Sequence, residues 1–153
     1  RGLGDVYKRQ VLPKKTNQSS QTNSVTLRPI PRDIPTGENI SPASLSIETE
    51  HDHYPLSTTE VKITITNHSH YEYECGEKYS LAYYNKSKRQ WETLPTDPVV
   101  NDILWIFPPE HPSHQQTIKL YTSESPNHPG KYRIYKSFNR GTKVAYGEFE
   151  LLP

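Results

Sequence analysis

The chain has 153 residues and a mass of 17.7 kDa, enough for one domain and little more. Eighteen Lys and Arg against seventeen Asp and Glu give a formal charge of +1, without the clustered cationic surplus that nucleic-acid binding requires. The fragment has no apolar run long enough to span a bilayer, and its single cysteine, Cys75, excludes an internal disulfide and a Cys-rich zinc site.

Residues 1–10, RGLGDVYKRQ, match the in-frame translation of a transposase-type sequencing adapter, whose invariant end reads DVYKRQ, and are set aside as an adapter-derived artefact. An adapter fused to an open reading frame places the natural start upstream, so a missing signal peptide carries no information. Residues 11–43 contain no aromatic residue and are biased to Ser, Thr, Asn, Gln and Pro. Such composition cannot offset its ordering entropy by apolar burial, and the stretch reads as a disordered linker. Apart from Tyr7, every aromatic residue lies between Tyr54 and Phe149, which puts the folded domain at 44–153. Residues 1–43 carry seven basic and three acidic groups, whereas 44–153 carry eleven and fourteen. The positive charge therefore sits outside the domain.

Within the domain, hydrophobicity alternates with period two. Ser44–Thr49 turns Leu45 and Ile47 inward, and Glu60–Asn67 turns in Val61, Ile63 and Ile65. Lys78–Tyr84 points Leu81 and Tyr83 at the core, followed by a short strand at Gln90–Leu94 and an apolar run, ILWIF, within Asp102–Phe107. Gln115–Tyr121 contributes Ile118 and Leu120, Lys131–Phe138 contributes Tyr132, Ile134 and Phe138, and Lys143–Leu151 contributes Ala145, Phe149 and Leu151. The separators, such as Asn85-Lys86-Ser87, Pro129-Gly130 and Asn139-Arg140-Gly141, have turn chemistry. Seven or eight short strands without a helical period indicate an all-β antiparallel sandwich.

The succession YPLSTTEVKITITN, GEKYSLAYYNKSKRQWETLP, PGKYRIYKSFN and AYGEFELL resembles a bacterial immunoglobulin-like domain family of secreted and envelope proteins, over about residues 44–152. The resemblance implies an immunoglobulin-like sandwich in which Tyr132, within PGKYRI, is the tyrosine corner opening strand F. It implies no activity. It also makes the strands holding Tyr84, Tyr135 and Tyr146 neighbours in one sheet. With Leu81, Tyr83, Tyr132, Ile134, Ala145 and Phe149 inward, alternation turns Tyr84, Arg133, Tyr135 and Tyr146 to the outer face. These four form a candidate binding surface for a protein or a glycan. Tyrosine is also a strong strand former, and cross-strand aromatic pairs stabilise sheets without any ligand.

Enzymatic chemistry finds no support in the motifs. No G-x-S-x-G elbow or glycine-rich phosphate loop is present. Cys75 lies between Glu74 and Glu77, which disfavour a thiolate, and reads as a free cysteine at a strand edge. The pairs His51/His53 and His68/His70 flank strand 60–67 and so stand at opposite ends of the sandwich, too far apart to share a metal. A blue-copper site would need a nearby Cys-His pairing and usually a methionine, and the chain has no methionine. The expectation is therefore a monomeric, non-catalytic module of a bacterial secreted or cell-surface protein, such as a lipoprotein. It has no cofactor, metal or nucleic-acid partner, and acts in spacing, display or recognition. The alternative is a small proteinase inhibitor presenting the Pro-rich loop Phe107–His114.

Overall fold

The computed structural model describes residues 6–10, 28–99 and 102–153. Their strands, in chain order, are β1 (Tyr7–Gln10), β2 (Glu38–Asn39), β3 (Leu45–Thr49), β4 (His53–Pro55), β5 (Glu60–Asn67) and β6 (Tyr73–Cys75). They continue with β7 (Ser80–Asn85), β8 (Gln90–Leu94), β9 (Ile103–Phe107), β10 (Ser113–Lys119), β11 (Gly130–Phe138) and β12 (Lys143–Leu152). The eight longer ones fall on the eight stretches read from the sequence, seven from alternation and β9 from the apolar run ILWIF, which alternation does not resolve. The four additional ones, β1, β2, β4 and β6, have two to four residues, too few for period two to show.

One antiparallel sheet has the order β10-β5-β3 and the facing sheet the order β2-β12-β11-β7-β8, with β4 also on β12. β2 and β4 both lie parallel to β12, at its start and its end. A third small sheet, β1-β9-β6, stands beside the sandwich. Between the main sheets, Leu45, Ile47, Val61, Ile63, Ile65 and Ile118 meet Leu81, Tyr132, Ile134, Phe138, Phe149 and Leu151 in one buried cluster. Burial of apolar area between the two sheets is the main favourable term in the fold.

The tyrosine corner is formed. The Tyr132 hydroxyl donates to the His128 carbonyl and accepts from the His128 N–H, each at 2.9 Å, while its ring stacks on Phe149. Tyr132→Phe leaves both backbone groups without that partner. It should lower stability by about 1–2 kcal/mol, read as a lower denaturant midpoint at unchanged slope. An unshifted midpoint would remove the corner as a stabilising feature.

The chain is bonded to the sandwich well before residue 44. Ile30 and Thr96 exchange two backbone hydrogen bonds of 2.9 Å, the Arg32 Nε donates to the Thr96 hydroxyl, and Ser80 donates to the Asp33 carbonyl. Ile40 packs on the core, and Glu38 and Asn39 extend the sheet at β12. Composition averaged over residues 11–43 hides this, because the anchors are two isolated isoleucine side chains, Ile34 and Ile40, and backbone bonds such as those of the exposed Ile30. Prolines 29, 31 and 35 also restrict the unfolded chain, which reduces the entropy lost on docking. The rest of the expected linker, residues 11–27, lies outside the described residues. Residues Tyr7–Gln10, set aside as adapter-encoded, pair antiparallel with β9.

Candidate functional site

The four residues singled out by alternation do share the outer face of the six-stranded sheet, and the register explains how. Tyr135 on β11 pairs with Tyr146 on β12, their rings 5.5 Å apart, and Arg133 pairs with Glu148. On the other side of β11, Arg133 lies opposite Ala82 of β7, whose small side chain leaves room for the guanidinium. Tyr84 pairs with Trp91 of β8, with rings 5.1 Å apart.

Arg133 is the centre of this face. Its guanidinium carbon stands 4.2 Å from the Trp91 ring centroid and 4.1 Å from that of Tyr146, so it contacts both aromatic rings. Its Nε donates to Glu148 Oε2 at 2.7 Å and one terminal nitrogen donates to the Tyr135 hydroxyl at 3.1 Å. Burial works against the charge, but the bonds to Tyr135 and Glu148 outweigh it and hold the pKa above its ordinary value.

Tyr135 departs from expectation. It points to the outer face yet is only 6% exposed. The docked segment packs Ile34 onto the small cluster of Ala82, Tyr135 and Val144, together with Trp91 and Tyr146. Treating 28–40 as linker left this face uncovered. Trp91 is the member that sequence reading missed, because the register of a five-residue strand following the Asn85-Lys86-Ser87 turn cannot be fixed from alternation alone. Arg133→Leu should cost about 1–3 kcal/mol, and Arg133→Lys should recover little of it, since an ammonium lacks the planar fork that stacks and pairs at once. Full recovery by lysine in denaturant titration would contradict the stacked arrangement.

Other reactive groups are held inside. Cys75 is buried on β6: burial pushes its thiol pKa up, Lys136 opposes, and Glu77 and Glu74 add to the rise. Lys136 is inward on β11, with Nζ donating to the Gly76 and Lys78 carbonyls at 2.8 and 2.9 Å, and burial pushes its pKa down. His114 stacks on Trp105 at 3.7 Å, and its pKa is lowered chiefly by burial. His53 lies 3.6 Å from Glu150, whereas His68 Nε2 bonds the Ser46 hydroxyl at 2.8 Å, which puts the two histidine pairs at opposite ends of the sandwich. Among the described residues, no three His, Cys, Asp or Glu side chains converge as metal ligands. Nor is any helix there long and apolar enough to cross a membrane.

The loop from Phe107 to His114 is tied down at both ends. Asn67 Nδ2 donates to the Phe107 and Pro108 carbonyls, the Asn67 N–H donates to the Pro112 carbonyl, and His111 at the tip packs against His68.

Two facing sheets, antiparallel except for the short β2 and β4 on β12, a tyrosine corner, and β7, β11 and β12 side by side define an immunoglobulin-like sandwich. The chain belongs to the bacterial Ig-like domain family, which it matches over residues 41–150. No match was found among curated proteins. Among solved structures the chain is similar to a β-glucosidase from Listeria innocua, at 13% identity and a TM-score of 0.37, covering 71% of this chain and 16% of that one. It is also similar to an alkylpurine DNA glycosylase from Pseudomonas fluorescens, at 13% and 0.35, covering 74% and 32%. A third likeness is to a CARDB domain from Pyrococcus furiosus in complex with di-metal ions, at 12% and 0.32, covering 71% and 92%. The chain thus spans a third or less of the first two proteins, and at these scores none of the three bears on its activity.

Proposed function

We propose that this domain is a non-catalytic module of a bacterial secreted or cell-surface protein, and that it works as a rigid spacer. One observation carries the reading. Glu38 is in register with Lys143 at the start of β12, and Leu152 ends the same strand. Nine residue steps of one strand therefore separate the point where the docked 28–40 segment joins β12 from the end of that strand, about 30 Å at the usual strand rise. A segment fixed to one end of a long strand whose other end is the last of the sheet suits a module placed in series. The outer face supports the same reading, because Arg133 already engages Trp91, Tyr146, Tyr135 and Glu148. The cluster of Tyr84, Arg133, Tyr135 and Tyr146 then serves chiefly to stiffen the sheet, and protein or glycan recognition there is the subordinate reading.

The test is replacement in the parent protein. An unrelated immunoglobulin-like module of equal span should preserve the parent's function, whereas deleting the domain should impair it. If the replacement fails as completely as the deletion, the domain's own surface is what matters and the spacer reading falls.

A further inference from the structure

We propose that the outer edge of β9 is an acceptor for an extended, basic peptide strand supplied from outside the sandwich. In this chain that edge is filled by β1, with Tyr7 opposite Ile106, Lys8 opposite Trp105, Arg9 opposite Leu104 and Gln10 opposite Ile103. The inference rests on reading residues 1–10 as adapter-encoded and is independent of the spacer role. A segment with no shared history with the domain has no side chains shaped for it. Its seating therefore reports a property of the acceptor.

The acceptor has the features that strand addition needs. β9 reads ILWIF, with Ile106 and Phe107 buried, and only three of its residues pair with β6 on the inner side. An apolar strand with an open edge offers a row of backbone donors and acceptors to any extended chain. Main-chain bonds then give affinity, and alternate side chains give selectivity.

The selectivity is for cations. Lys8 Nζ sits 5.9 Å from the centroid of Trp105, whose indole N–H bonds Glu77 and whose ring is backed by His114. The Tyr7 hydroxyl approaches Glu72 Oε2 at 3.5 Å. Arg9 lines an open groove of about 1140 Å³ that also holds Asp33, Glu74, Glu77 and Asp102. Setting aside the groups already bonded, Glu77 by the Trp105 indole N–H and Arg32 by Thr96 and the Asp97 carbonyl, the groove has Asp33, Glu74 and Asp102 against Lys78 and Arg140. The balance favours an incoming base.

The test uses the full chain with Tyr7→Pro, Lys8→Pro and Arg9→Pro together, which removes three strand N–H groups and vacates the edge. Amide hydrogen exchange is followed at Ile103–Ile106, with Ile134 in the core as the control for folding. In the unaltered chain the β9 amides facing β1 should be protected, and in the triple variant they should exchange freely while Ile134 stays protected. Adding an end-blocked DVYKRQ peptide to the variant should restore protection saturably. A DVYEEQ peptide should bind at least about tenfold more weakly, the equivalent of one good polar contact, and DVPPPQ should not bind. Equal exchange in the unaltered chain and the variant, or no restoration by DVYKRQ at millimolar concentration, would overturn the acceptor edge. Equal binding of DVYEEQ would overturn its basic preference.

Discussion

Asn67→Ala is expected to remove about 2–4 kcal/mol of stability, an unusually large loss for a polar residue at the end of a strand. Asn67 is fully buried where β5 ends. Its Nδ2 lies 2.7 Å from the Tyr71 carbonyl and 3.1 Å from those of Phe107 and Pro108, and its Oδ1 accepts from the Ser69 N–H and hydroxyl. One amide thereby closes the β5–β6 turn and fixes the end of β9. Alanine leaves the carbonyls and the Ser69 N–H without this partner in a site the side chain sealed from water. Asn67→Asp should be no milder, because a carboxylate would face three carbonyl oxygens. Urea unfolding followed by tryptophan fluorescence reads the loss. A decrease below about 1 kcal/mol would show that the turn is held by other contacts.

Gly147→Ala should be of similar size, about 3 kcal/mol, at the upper end of the range for forcing extra volume into a packed core. Gly147 stands in the inward row of β12 between Ala145 and Phe149, where β12 crosses β3. A Cβ there would collide with the Ile47 carbonyl oxygen and lie 3.0 Å from its Cγ2. Because the obstacle is mainly backbone, rotamer changes cannot relieve it, and β3 and β12 must part. The melting temperature should fall by about 10 °C for a domain of this size. An unchanged melting temperature would mean that the two strands do not approach as closely as the structure places them.

Period-two alternation made seven of the eight longer strands and most of the core legible, because Val61, Ile63 and Ile65 or Tyr132 and Ile134 declare the buried face outright, whereas β9, the ILWIF run, shows as an apolar stretch without alternation. The same rule puts Lys136 in the inward row, where its charge argues against it. The fold resolves that conflict with two backbone carbonyls that exist only once the Gly76–Lys78 backbone is in place. The outer face was legible as a set of residues but not as an arrangement. Alternation gives the side of the sheet, whereas Arg133 meeting Trp91 depends on the β7–β8 register and on a small Ala82 between them. Docking of residues 28–40 was not legible at all, since its bonds run mostly through backbone, as at Ile30 and Thr96, and backbone leaves no mark on composition.

The spacer account stands or falls on a fixed span that begins before residue 44. Spin labels at cysteines replacing the exposed Glu38 and Leu152, with Cys75 replaced by Ala, measure it by electron–electron dipolar spectroscopy. The structure predicts one narrow distribution near 30 Å, from nine residues of β12 at the usual rise. A broad distribution, or a separation below about 20 Å, six residues of strand, would contradict it.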